Sequence, residues 1–233
     1  MMAERIFAIH QPNYVPWLGY FYKVANSDIF IILDQVQFPR GRSFSSRNRI
    51  KTPNGPTYLT IPVKVPSGNE GRANYTEVTF ADEKWKTKHV KSVELAYKRA
   101  PFFDEVFTLY QRALESNESL VELNVALIRA IMEYLSIDTE LVMLSDLLSD
   151  PNAKSDLIVD VGNAVGGPIY LSGTGGGRQY NDKELLRRNG IDLAYSAYES
   201  AEYTQLWGDF EPDLSILDAL FNCGPSTSEF LKG

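Results

Sequence analysis

The chain places a His, a Gln and an Asn within four residues, at His10, Gln11 and Asn13, directly after the apolar run Ile6 to Ile9. Tyr14, Trp17 and Tyr20, with Pro12 and Pro16, enclose these polar groups. A packed strand needs no such polar cluster, and an ordinary turn needs no bulky aromatics. The segment therefore reads as a buried strand opening into a pocket. His10 is one of only two histidines. Its imidazole could take a proton from a reacting amine or hydroxyl, or donate to a ligand oxygen, near neutral pH. A His that caps a strand end against backbone is the competing reading, and both stay open. Asp34, at the end of the next apolar run, joins His10 as a candidate catalytic group. Gln11, Asn13, Tyr14, Trp17, Tyr20 and Gln37 are candidate binding groups.

A net charge of −7 argues against nucleic acid as the main partner, because a phosphate backbone demands a basic face. The distribution says more than the sum. From Gln35 to Asn69 there is no Asp or Glu, while Arg40, Arg42, Arg47, Arg49, Lys51 and Lys64 fall in that window. Such focusing suits a small anionic substrate, a phosphorylated donor or a nucleotide-sugar. Arg47, Asn48, Arg49 and Lys51 are its candidate contacts, with Arg47, Arg49 and Lys51 on one strand face. A solvated edge strand, charged against aggregation, is the alternative.

The run Ser172-Gly173-Thr174-Gly175-Gly176-Gly177-Arg178 is Gly-rich and follows a short apolar stretch. Backbone amides of such loops cradle phosphates, so Ser172, Gly173 and Arg178 join the binding set. The run matches neither the dinucleotide fingerprint nor the Walker pattern, and a turn needing positive φ explains it equally well. His89, on a Lys-rich helix, is a further binding candidate, although a packed helix His is the ordinary reading. The single cysteine, Cys223, excludes an intramolecular disulfide and has no base beside it in sequence, so it is taken as buried. No metal-ligand cluster is evident, and no cofactor is named by the residues.

These groups need elements to position them. Ile6–His10 reads as a strand, 16–26 as a helix with Pro near its start, and Asp28–Asp34 as a strand covered on both faces. That β-α-β opening predicts a parallel pair. Pro53-Asn54-Gly55 between two alternating runs predicts a hairpin, inserted over about 45–66, and Tyr75 to Phe80 is a short strand candidate. Helices are expected over 82–99, 103–114 and 119–135, the last with a Ser119-x-x-Glu122 capping box. Strands at 140–144, 168–171 and 191–195 then alternate with helices at 155–165 and 182–189, and a final helix spans 214–221. Ligands of open α/β sheets bind beyond the carboxyl ends of the strands. His10, Asp34, Ser172 and the Tyr195–Glu199 segment would then share one rim. The expectation is one α/β domain over 1–233. Its sheet is mainly parallel, Rossmann-like and flanked by helices, with an antiparallel basic hairpin inserted and a helical middle over about 82–136. No apolar run approaches the ~18 residues of a membrane span, and Met1 to Arg5 has no secretory signature. The expectation is a cytoplasmic protein; its oligomeric state is open.

Several segments also carry a resemblance. Ile9 to Phe21, Asp28 to Phe38 and Arg47-Asn48-Arg49-Ile50-Lys51 resemble the opening of the WbqC-like family. Tyr97 to Phe103, Tyr170-Leu171-Ser172-Gly173 with Tyr180, and Leu214 to Asp218 with Phe221 to Pro225 are similar to its later parts, in the same order. The resemblance implies surface-polysaccharide (O-antigen) biosynthesis and a transferase, with glycine or a small acyl group moved to an activated sugar. It brings no catalytic residues with it. Ser43-Phe44-Ser45-Ser46 stands where the family tends to have Trp and Gln, and Ala197 to Ser200 replaces a His-Pro-containing segment. A strand followed by a Pro-rich turn and Gly19-Tyr20 also resembles nucleotidyltransferases with a His-x-Gly-His turn, but Trp17 and Tyr20 occupy the two His positions. A non-catalytic binding protein for a nucleotide-sugar or a partner enzyme, and a nucleotidyltransferase-like enzyme, stay open as alternatives.

Overall fold

The computed structural model describes residues 5–39, 41–66, 73–175 and 181–233. Two apolar runs found the sheet. β1 (Ile6–His10) leads through α1 (Leu18–Ala25) to β2 (Ile29–Ile32), and β1 and β2 pair in parallel with His10 opposite Ile32. Three later strands complete the layer: β7 (Glu140–Met143), β8 (Ile169–Ser172) and β9 (Asp192–Tyr195). The order is β7-β2-β1-β8-β9, and every pair is parallel.

Alternation along the strands explains why two strands are apolar throughout. Phe7, Ile9, Ile29 and Ile31 enter one core, with Leu157, Ile158 and Val161 of α6 (Lys154–Val165) and Leu186 of α7 (Lys183–Arg188). Ala8, Phe30 and Ile32 enter the other. That larger core also takes α1, α2 (Lys84–Tyr97), α3 (Phe103–Ser116), α4 (Leu120–Tyr134) and α8 (Ile216–Cys223). A sheet buried on both faces needs no polar face at all.

The basic hairpin is present as β3 (Arg47–Thr52) and β4 (Gly55–Thr60), turning at Pro53-Asn54, with Gly55 at φ +93°. It forms a sheet of its own. β5 (Val63–Lys64) pairs only with β6 (Thr79–Phe80). The strand expected from Tyr75 instead starts as a 3-10 turn, Tyr75–Glu77. Asn74 and Glu77 close a capping box there, which favours a turn over extension. The Ser119–Glu122 box does begin α4. Gly224, at φ +57°, ends α8, yet the chain continues as a 3-10 helix, Gly224–Leu231, rather than stopping. Between β7 and α6 lies one short helix, α5 (Leu144–Leu147).

Candidate functional site

The strand order reverses between β1 and β8: chain growth runs outward through β2 and β7 on one side and through β9 on the other. Such a switch point opens a crevice beyond the strand ends. Here it holds a cavity of about 890 Å³. β1 contributes His10 and Gln11, α1 contributes Trp17, Tyr20 and Lys23, and β8 ends in Ser172 to Gly175. Gln35 and Gln37 follow β2, Pro151 to Lys154 lead into α6, and Tyr198 follows β9. Among the described residues, no Asp or Glu lines it.

His10 is half-buried at the end of β1. Its Nδ1 lies 3.2 Å from the Gln11 carbonyl. A carbonyl only accepts, so Nδ1 carries the proton and Nε2 keeps its lone pair. Burial, then the Lys23 ammonium, holds the imidazole well below its usual range, so it is neutral at pH 7. Its ring centroid sits 4.8 Å from that of Tyr20 and 6.0 Å from that of Trp17. The Tyr20 hydroxyl donates to the Gln11 carbonyl at 3.2 Å. Phe44, 52% exposed, packs on Trp17 at 5.3 Å and extends this aromatic wall to the mouth.

Lys23 went unnoticed in the sequence reading. It is only 4% exposed, and its Nζ donates to the Ile9 carbonyl at 2.9 Å. Among the described residues no carboxylate pairs with it. Burial lowers its ammonium to about 7. A signal did exist: Lys23 is the lone charge in Leu18–Ala25, one helical turn after Tyr20. Asn152, Lys154 and Asn181 were likewise missed. Ala153, the N-cap of α6, makes no side-chain cap, and it lines the cavity together with Lys154.

The signature turn divides by face. Asn13 and Tyr14 point inward, away from the cavity. The Asn13 Oδ1 accepts from Ser45 Oγ at 3.2 Å, and the Tyr14 hydroxyl meets Tyr110 at 2.6 Å and His89 Nδ1 at 2.9 Å. Between them and the helix, Val15 takes φ +36°, a strained value for a β-branched residue. Asn48 Nδ2 and Ser215 Oγ each donate to its carbonyl at 2.8 Å and hold it there. Asn124 Nδ2, on α4, also donates to the carbonyls of Pro12 and Ser45, at 2.8 and 2.7 Å. Interior groups thus fix the turn whose other face presents His10 and Trp17.

Several expected contacts therefore lie elsewhere. Asp34 is buried and its Oδ1 accepts from the Ser145 N–H at 3.0 Å, in the first turn of α5. Arg47 stacks on the Tyr58 ring at 3.5 Å. Arg49 pairs with Glu211 at 3.4 Å and donates to the Pro212 and Asp213 carbonyls. Lys51 is buried and donates to Gln205 Oε1 at 3.0 Å and to the Gly208 and Asp209 carbonyls. The basic strand grips residues 205–213 rather than a cavity anion. Asn48 braces Val15, and His89 is a core residue that also contacts the Thr60 carbonyl at 3.2 Å. Arg178 lies outside the described residues. Cys223 is half-buried, not fully buried, and burial with the Asp218 carboxylate pushes its thiol up, away from thiolate chemistry.

The WbqC-like protein family matches residues 11–230. The chain belongs to that family. It is also 35% identical over 231 residues to the uncharacterized protein Rv1507c of Mycobacterium tuberculosis (strain ATCC 25618 / H37Rv), spanning 97% of this chain and 96% of that one. Among the described residues, no helix of this WbqC-like protein is long and apolar enough to cross a membrane.

Proposed function

We propose that this WbqC-like protein is a cytoplasmic transferase of surface-polysaccharide biosynthesis. It binds an anionic activated sugar in the switch-point cavity and acylates it with glycine or a similarly small group. The observation that carries this reading is a neutral imidazole with its Nε2 lone pair available, in a cavity that no carboxylate lines among the described residues. In the step itself the sugar's amine or hydroxyl attacks the acyl carbon of an activated donor. The N–C or O–C bond forms, the acyl–leaving-group bond breaks, and the proton passes to His10 Nε2. The donor's activating group is not specified by these residues. Trp17 and Phe44 offer flat faces for a base or sugar ring.

The test replaces His10 by Gln. Binding of the nucleotide-sugar that gives the largest thermal shift should change little. Turnover with an activated glycine donor should fall by roughly 10²- to 10⁴-fold. Unchanged turnover removes the base role. A wild-type protein that binds nucleotide-sugars but never turns over favours the non-catalytic binding reading instead.

A further inference from the structure

Lys23 is a buried cation. It lines the cavity together with the aromatic wall that passes from exposed Phe44 through Trp17 to buried Tyr20. Its ammonium donates to the Ile9 carbonyl and lies 5.5 Å from the Phe30 ring centroid, and among the described residues it meets no carboxylate. A purely structural lysine at such depth is expected to meet a carboxylate, because an isolated buried ammonium is costly. The cavity beside it offers none. Of the hairpin cations that look suited to an anion, Arg49 and Lys51 are held by residues 205–213 and Arg47 stacks on Tyr58.

We propose that Lys23 is an oxyanion-binding residue, and that the ligand's phosphate or carboxylate supplies its counter-ion. This deepens the reading of the cavity as a site for an anionic activated sugar and rests on it. The ammonium lies in low dielectric, where one charge-assisted hydrogen bond is stronger than at the surface. The other titratable groups lining the cavity are His10, Tyr20, Tyr170, Tyr198 and Lys154, and none brings a negative charge at neutral pH.

Proton uptake follows. Free, the amine loses its proton above about pH 7. An oxyanion beside it restores the ammonium, so the complex gains a proton when formed at pH 8.

Isothermal titration with uridine diphosphate, pyrophosphate and glycine tests this on the wild type and Lys23→Met. The expected result is roughly 10- to 100-fold weaker binding to the variant. Loss confined to the two phosphate probes identifies a phosphate as the anion. Loss confined to glycine identifies a carboxylate. For every probe that binds, equal affinity in the two proteins overturns the proposal, as does failure of all three probes to bind the wild type. Should Lys23→Met not fold, Lys23→Gln, uncharged and of similar length, is titrated with the same probes. Weaker binding supports the proposal and affinity equal to that of the wild type overturns it. A variant that binds normally beside an inactive His10→Gln sinks only the Lys23 assignment. Lys23-dependent binding without transfer to any acceptor sinks only the transferase reading.

Discussion

At the residue scale, chemistry alone did not tell a ligand group from a structural one. Lys51 and Lys23 are both buried lysines, yet Lys51 meets an amide oxygen and two carbonyls while Lys23 meets one carbonyl. Their substitutions should therefore act oppositely. Lys51→Met leaves the Gly208 and Asp209 carbonyls and Gln205 short of a donor. It should cost about 1–3 kcal/mol in urea denaturation while leaving oxyanion affinity unchanged. A weakened affinity with intact stability would return the anion site to the hairpin. Lys23→Met at pH 7 removes a charge whose burial opposes folding, and its melting temperature should rise by roughly 2–4 °C per kcal/mol relieved. The turn before α1 carries the same lesson. His10 and Gln11 face the cavity, while Asn13 and Tyr14, two and three residues later, do not.

At the element scale, tight junctions position the walls of the site. α8 follows the bridge between Trp17 and Ser215, and the Ile216 N–H donates to the Pro16 carbonyl at 2.9 Å. The far end of α8 rests on Gly224, where a Cβ would lie 2.3 Å from the Phe102 ring, at φ +57°. Gly224→Ala should then cost about 1–3 kcal/mol from overpacking, with about 1–2 kcal/mol more from the left-handed backbone. Chemical denaturation measures it, and a loss under about 0.5 kcal/mol, the scatter of a neutral surface change, would show that the junction yields freely. The elements themselves were largely readable. Apolar runs bounded by turn residues marked all five parallel strands, and Asn54-Gly55 marked the hairpin. The Tyr75 segment was misread because a local capping box outweighed its strand-like composition.

At the scale of the whole molecule, buried His89 and half-buried His10 couple stability to pH. Burial lowers His89 to about 4, with the Thr60 carbonyl opposing, and His10 moves the same way. In the unfolded chain both take up protons near 6.5. Between about 6.5 and 4 the unfolded state binds more protons, so stability falls as pH drops through that window. His89 alone accounts for a loss on the order of 3 kcal/mol across it. Unfolding free energies measured from pH 7.5 down to 4.5 should show this slope, and His89→Gln should flatten much of it. An unaltered slope in that variant would place the titrating group elsewhere. Lys23 acts at the other end: between about 7 and its unfolded value near 10.5, stability should rise with pH.

Sequence by itself determined the parallel α/β sheet, the hairpin, the family and the place where a pocket opens. Those features follow from local patterns, namely apolar runs, caps, turn residues and motif order. Which polar group faces the cavity was decided only by tertiary structure. Arg49 and Lys51 find their partners 154 to 164 positions along the chain, in 205–213, and Asp34 finds its own in α5. No spacing rule within the hairpin announces those partners. A side chain's role depends on what the distant chain supplies to satisfy it. By that measure Arg49 and Lys51, which looked free, were held by 205–213, and Lys23, hidden in an apolar helix, faces the cavity without a counter-charge among the described residues.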